Sequence, residues 1–219
     1  MAFLELHKAN IGYSGVTVLH EITLHIEHGE RVALLGESGA GKSTLLQTLY
    51  RQNAAQATLV PQDFALVRTL SVFHNVYMGR LHRHRTAYNL VNLVHPLRRE
   101  VSAVRPVVAS LGLEDKLYAP VGALSGGQQQ RTAVGRSLFQ GGAVLMGDEP
   151  VSSVDPLQSR QVLEAINAAF PTVVLAMHDV ELALAYTDRV VGLENGRIVL
   201  DQRTAGLRAT DLHGLYRAS

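Results

Sequence analysis

Three clusters in this sequence carry residue types suited to chemistry on phosphate esters. The first is Gly36-Glu37-Ser38-Gly39-Ala40-Gly41-Lys42-Ser43, followed by Thr44 and set between a hydrophobic run, Arg31 to Leu35, and a helical pattern. Glycines at this spacing let backbone N–H groups turn inward as a nest for phosphate oxygens. A helix beginning near Lys42 adds its positive N-terminal end to the same place. Lys42 is then placed to reach the β- and γ-phosphates, and the Ser43 hydroxyl to ligate Mg²⁺. The pattern points to a nucleoside triphosphate.

The second cluster, Ser125-Gly126-Gly127-Gln128, opens a helical segment that runs through Phe139 and repeats the same anion-binding logic. The third is Asp148-Glu149, two carboxylates ending the apolar strand pattern Ala143 to Gly147. An α/β sheet places its ligands at the C-terminal ends of its strands, and buried carboxylates there are costly without a metal or a partner. Asp148 therefore reads as Mg²⁺-associated and Glu149 as a general base for water. A further apolar strand, Thr172 to Met177, ends in His178-Asp179, so His178 is the third polar element at a strand end.

The rest of the chain positions these groups. Residues 3–28 alternate as two strands joined at Ser14-Gly15, with Tyr13 either an ordinary strand-end tyrosine or an aromatic face for a purine. Helices are expected at 42–51, 156–169 and 180–186. A short strand is expected at 57–60, and a hairpin about Asn195-Gly196. Residues 64–121 show helical periodicity, with Pro96, Pro106 and Pro120 and many arginines (Arg80, Arg83, Arg85, Arg98, Arg99 and Arg105). They read as a helical insertion with capping starts near Ser71 and Ser102 and with a solvated basic face.

Composition limits the alternatives. The 219 residues are 47% hydrophobic and 18% charged, which is globular. A formal net charge of +1 gives no global argument for a nucleic-acid partner. The chain has no cysteine, which excludes disulfides and thiolate metal sites. MAFLELHKAN lacks the basic and apolar regions of a signal peptide, and no apolar run reaches the ~18 residues of a membrane span. Any work at a membrane is expected to need another chain to span it.

Taken together, these motifs resemble the ATP-binding subunit of ABC transporters over nearly the whole chain. Gly36 to Ser43 matches the Walker A loop, Gln62 the Q-loop and Leu124 to Gln128 the LSGGQ signature. Val144 to Asp148 with Glu149 matches Walker B and its catalytic glutamate. Ser153-Val154-Asp155 matches the D-loop, His178 the H-loop, and Tyr13 the aromatic residue that stacks on adenine. The resemblance implies an α/β P-loop NTPase (RecA-like) core with a shortened N-terminal antiparallel β-subdomain, over 1–62 and 122–219, and an inserted α-helical subdomain over 63–121. It also implies a head-to-tail homodimer with ATP and Mg²⁺ at the interface. Each ATP would meet Walker A of one subunit and Ser125, Gly126 and Gly127 of the other. Ser43, Gln62 and Asp148 would hold the metal, Glu149 would polarise water, and His178 would contact the γ-phosphate. A change at Gln62 would be passed to residues 64–121, where a membrane partner would be gripped.

The segments LVRTLSVFHNVYMGRL (66–81), LSGGQQQR (124–131), DEPVSSVDP (148–156) and HDVELALAYTDRVVGLENGRIV (178–199) further resemble the phosphonate-import group. That resemblance implies peripheral attachment at the cytoplasmic face of the inner membrane, with permease subunits and, indirectly, a solute-binding protein as partners. The alternative is a soluble ATPase accessory to a carbon–phosphorus lyase-type complex. Two departures stand out. The stretch from Lys42 to Gln62 is shorter than usual and lacks a β-hairpin, and Gly147 stands where the family has a larger residue.

Overall fold

In a computed structural model of the chain, Ala2–Tyr13 (β1) and Val16–Glu27 (β2) form an antiparallel two-stranded sheet. The structure describes residues 2–13 and 15–216; Ser14, half of the expected turn, lies outside the described residues. From Ile22 onward β2 alternates, with Ile22, Leu24 and Ile26 buried and Thr23, His25 and Glu27 exposed. This is the period of a strand with one face on a core.

The main sheet contains Arg31–Leu35 (β3), Ala57–Val60 (β4), Val144–Asp148 (β5), Thr172–Ala176 (β6), Arg189–Glu194 (β7) and Arg197–Arg203 (β8). Their order is β4-β5-β6-β3-β7-β8. Parallel pairing joins β5 to β6, β6 to β3 and β3 to β7, whereas β8 returns antiparallel to β7. The central strands are covered on both sides, so they read as unbroken apolar runs. Because β3, β6 and β5 are parallel neighbours, their C-terminal ends lie side by side. Those ends carry the phosphate loop, His178 and Asp148-Glu149. Between β3 and β4 runs one helix, Lys42–Gln52 (α1), and residues 53–56 form a turn in place of a hairpin.

The chain divides into two compact units, the first within Met1–Leu59, Gly142–Ser152 and Phe170–Ser219, the second within Val60–Gly141 and Ser153–Ala169. The second unit holds Val72–Tyr77 (α2), Thr86–Val94 (α3), Arg98–Ser110 (α4), Gly126–Gln140 (α5) and Pro156–Ala169 (α6). Its own core includes Phe73, Val76, Val104, Val108, Leu117 and Phe139. Ser71 caps α2 as expected, its side chain accepting the His74 N–H. Ser102 does not start a helix. It lies exposed within α4, which begins after extended Leu97 with no side-chain cap. The Pro96-Leu97 turn sets that start, and Glu100 in the first turn suits the positive end of the helix.

One buried side chain organises the entry to the second unit. Asn75 is fully buried and donates to the Val67, Leu70 and Ser71 carbonyls at 3.0, 3.3 and 3.0 Å. Its Oδ1 accepts the Val67 N–H at 2.8 Å. Unpairing these groups in a dry site costs about 1–3 kcal/mol. Asn75→Ala should therefore lower stability by about 3 kcal/mol, read as a fall in the urea midpoint; an unchanged midpoint would show that water replaces the amide.

Candidate nucleotide site

Between β3 and α1 the backbone is committed to a conformation that glycine alone permits. Gly36 has φ +143°, and a Cβ there would lie 2.2 Å from the Leu193 carbonyl oxygen, a backbone atom that cannot give way. At the helix start Gly41 is left-handed and no side chain caps α1. The first-turn N–H groups are thus left for an external acceptor. Lys42 is buried and folds back, donating from Nζ to the Gly36 and Glu37 carbonyls at 2.7 and 2.9 Å. Burial lowers its pKa, and the Glu149 and Asp148 carboxylates oppose that shift.

Asp148 ends β5 in the same apolar surroundings. Burial raises its pKa, and the Glu149 charge adds to the rise. A hydrogen bond from Ser43 and the charges of Lys42 and His178 work the other way. Its Oδ1 is buried without a hydrogen-bond partner. An orphaned carboxylate oxygen beside a serine hydroxyl is suited to a hard cation with oxygen ligands, so these residues fit Mg²⁺. Among the described residues no group of three or more His, Asp or Glu side chains forms a metal cluster. A cation here would therefore take part of its coordination from phosphate or water, as Mg²⁺ commonly does.

Glu149 sits at φ +53°, left-handed for a residue with a side chain, and its N–H donates to the Ala176 carbonyl at 3.0 Å. Such strain costs about 1–3 kcal/mol and concentrates at functional positions. Its Oε1 lies 2.7 Å from His178 Nε2. An ionised carboxylate only accepts, so in this pair Nε2 carries the proton. Gly147, the departure in the strand, makes room: a Cβ would come within 2.9 Å of Leu175 and 3.2 Å of Pro150. Tyr13 is exposed, with the Arg51 guanidinium 5.9 Å from its ring centroid.

The structure thus brings Lys42, Ser43, Asp148, Glu149 and His178 together in the first unit. Gln62 and Ser125 to Gln128 belong to the second. Gln62 is exposed in a turn that continues through Phe64 and Ala65, both left-handed at φ +61° and +44°. Arg136 of α5 clamps that turn, donating to the Ala65 and Phe64 carbonyls at 2.6 and 2.9 Å. Ser125 caps α5 with a full capping box, exchanging hydrogen bonds with Gln128. Gly127 closes on the chain at Ser153, where a Cβ would lie 2.7 Å from a carbonyl oxygen. Fully buried Gln130 accepts the Ser153 N–H at 2.9 Å. Sequence reasoning missed Gln130 and Arg136, because a glutamine run does not show which member turns inward and a lone arginine on a helix usually reads as solvated.

Comparison with known proteins identifies the family. Residues 19–152 match the family model described as ABC transporter. A phosphonates import ATP-binding protein of Anaeromyxobacter dehalogenans is 38% identical over 98% of this chain, which spans 48% of that protein's length. One from Pseudomonas entomophila is 36% identical over 97% of this chain and 91% of its own. A dimeric ATP-binding cassette in a post-hydrolysis state, bound to ADP and Pi, superposes with a TM-score of 0.78 at 22% identity. That match covers 94% of this chain and 100% of the other. The chain belongs to the ABC transporter family, and it is an ATPase of the cassette type.

The Asp148 environment sets a signed expectation. A carboxyl whose pKa is raised on folding favours the folded state below its unfolded pKa, and that contribution is lost as pH rises through the folded value. At neutral pH ionised Asp148 therefore costs stability. Asp148→Asn should raise the thermal midpoint of the ligand-free protein, with the gain shrinking as pH is lowered, and should abolish Mg²⁺-dependent turnover. A lowered midpoint at neutral pH would contradict the assigned burden.

Proposed function

We propose that this chain is the ATP-hydrolysing subunit of an importer, energising uptake of a phosphonate or related phosphorus oxyanion through a separate permease at the cytoplasmic face of the membrane. The observation that carries the ATPase chemistry is the convergence of Lys42, Ser43, Asp148, Glu149 and His178 at neighbouring strand ends. The importer reading rests on the relatives named for phosphonate import.

In this reading the loop from Gly36 to Thr44 holds the phosphates of ATP through backbone N–H groups. Lys42 leaves its two carbonyl partners for the β- and γ-phosphates. Ser43 and Asp148, with Gln62, would hold Mg²⁺, which supplies charge neutralisation on the phosphates. Glu149 accepts a proton from the attacking water as the water oxygen bonds to the γ-phosphorus and the bond to the β,γ-bridging oxygen breaks, leaving ADP and phosphate. His178, hydrogen-bonded to Glu149 before nucleotide arrives, would turn its Nε2–H from that carboxylate to the γ-phosphate. Positioning and electrostatics suffice, without a covalent intermediate. Tyr13 provides a face for adenine. Ser125, Gly126, Gly127 and Gln128 of a second copy complete the site, so ATP closes a homodimer and hydrolysis opens it. An apolar groove of about 240 Å³ in the second unit, lined by Leu70, His74, Tyr77, Met78 and Leu81 among others, suits a helix of the permease.

Glu149→Gln should keep ATP binding, slow hydrolysis by about 10²–10⁴-fold and accumulate an ATP-bound dimer; near-normal turnover would remove Glu149 from this role. Lys42→Ala should weaken ATP binding by about 10–100-fold, the worth of a charge-assisted hydrogen bond, and calorimetry reads this directly. For the whole assignment, tagged Glu149→Gln protein would be recovered from gently solubilised native membranes with ATP and Mg²⁺. A stoichiometric polytopic membrane protein supports the importer. A purely soluble set of partners overturns it in favour of an enzyme-complex ATPase.

A further inference from the structure

Helix α3 is amphipathic in the reverse of the usual sense. Tyr88, Asn89 and Asn92 turn toward the unit, where each makes a hydrogen bond, although the Asn92 amide nitrogen is buried without a partner. Asn92 is fully buried and accepts the Leu97 N–H at 2.9 Å. Asn89 accepts the Tyr77 hydroxyl at 2.8 Å and donates to the Leu81 carbonyl at 3.0 Å. Tyr88 donates to Glu100 at 2.8 Å. The outward face carries Leu90, Val91, Leu93 and Val94, which are 57, 53, 45 and 86% exposed. Their i, i+1, i+3, i+4 spacing makes one continuous stripe. Water is the wrong medium for four large aliphatic side chains on one exposed turn and a half of helix.

The charge around this face has one sign. Arg85 immediately precedes α3, His95 immediately follows it, and Arg98 and Arg99 open the next helix; all four are exposed. Among the described residues none of Arg85, Arg98 and Arg99 forms an ion pair. Residues 64–113 contain seven arginines and one carboxylate, in a chain whose net charge is only +1. That carboxylate, Glu100, is buried under Tyr88, so the surface of this stretch presents no anion. An exposed apolar face with cations at both ends matches a bilayer surface, where aliphatic groups enter the acyl boundary and guanidinium groups meet phosphate.

We propose that Val91 and Val94 on the outward face of α3, with Arg85, Arg98 and Arg99 at its ends, form a contact surface for a bilayer of anionic phospholipid. This goes beyond attachment through a permease, because the chain itself touches lipid. The contact would hold the second unit at the membrane before and between encounters with a transport partner. A partner helix would instead prefer a concave seat, and the groove lined by Leu70, His74, Tyr77 and Met78 already offers one. Leu90 and Leu93 also line that groove, so the part of the stripe outside it is Val91 and Val94.

Flotation of the purified chain with protein-free vesicles tests the proposal independently of any permease. Vesicles of phosphatidylcholine with phosphatidylglycerol should bind the protein at least about tenfold better than phosphatidylcholine alone, and added salt should weaken the binding. The Val91→Glu/Val94→Glu variant and the Arg85→Glu/Arg98→Glu variant should each lose the bound fraction while keeping ATPase activity in solution. Equal binding to both vesicle types, no binding, or undiminished binding by both variants overturns the proposal. Binding only to vesicles that contain a permease would also overturn it and give the face to that protein, whereas failure of the importer reading would leave the vesicle result untouched.

Discussion

Burying charge at the ends of parallel strands is expensive, and the first unit balances it only in part. Lys42, Asp148 and Glu149 share an apolar setting, with burial pulling the Lys42 pKa down and the Asp148 pKa up. One oxygen of Asp148 has no partner, and Lys42 is reduced to satisfying two backbone carbonyls. Such an arrangement lowers stability unless something else completes it. A polyanion for Lys42 and the loop amides, together with a divalent cation for Ser43 and Asp148, supplies what is missing. The rest of the unit follows from holding these groups in place. The parallel order brings three strand ends together, Gly36 lets the chain pass the Leu193 carbonyl, and Gly147 leaves space for Leu175.

The second unit spends its buried polar groups differently, on shape. Asn75 gathers the carbonyls at the entry to α2, Arg136 fixes the left-handed turn after Gln62, and Gln130 binds the backbone at Ser153. The latter two project from α5, whose first turn is Ser125 to Gln128. The signature residues are therefore rigidly joined to the turn that follows Gln62 and to the start of the D-loop. The hydrogen bonds that join these three places are short and made to backbone.

Much of this could be read before any coordinates. The phosphate loop declares itself by spacing, because only glycine fits where the backbone must turn inward. Asp148, Glu149 and His178 declare themselves by standing at the ends of apolar runs. Other features are invisible in a linear chain. Periodicity predicts that residues 64–121 are helical, but a stripe of leucine and valine looks the same whether it faces core or solvent. Only the partners of Asn89, Asn92 and Tyr88 show that it faces outward. Ser102 misleads for a related reason: serine favours helix starts, yet the Pro96-Leu97 turn had already begun the helix four residues earlier. The left-handed backbone of Glu149 has no sequence signature, since glycine would be the expected occupant.

The central claim is that the charge cluster at the ends of β3, β5 and β6 is built for nucleotide and metal together. Calorimetric titration of the wild-type protein with ATP, in Mg²⁺ and again with a chelator, tests it most directly. Saturable binding that is markedly tighter with Mg²⁺, accompanied by a raised thermal midpoint, is the predicted result. Absent binding, or an affinity indifferent to the metal, would contradict it and leave the orphaned Asp148 oxygen without an explanation.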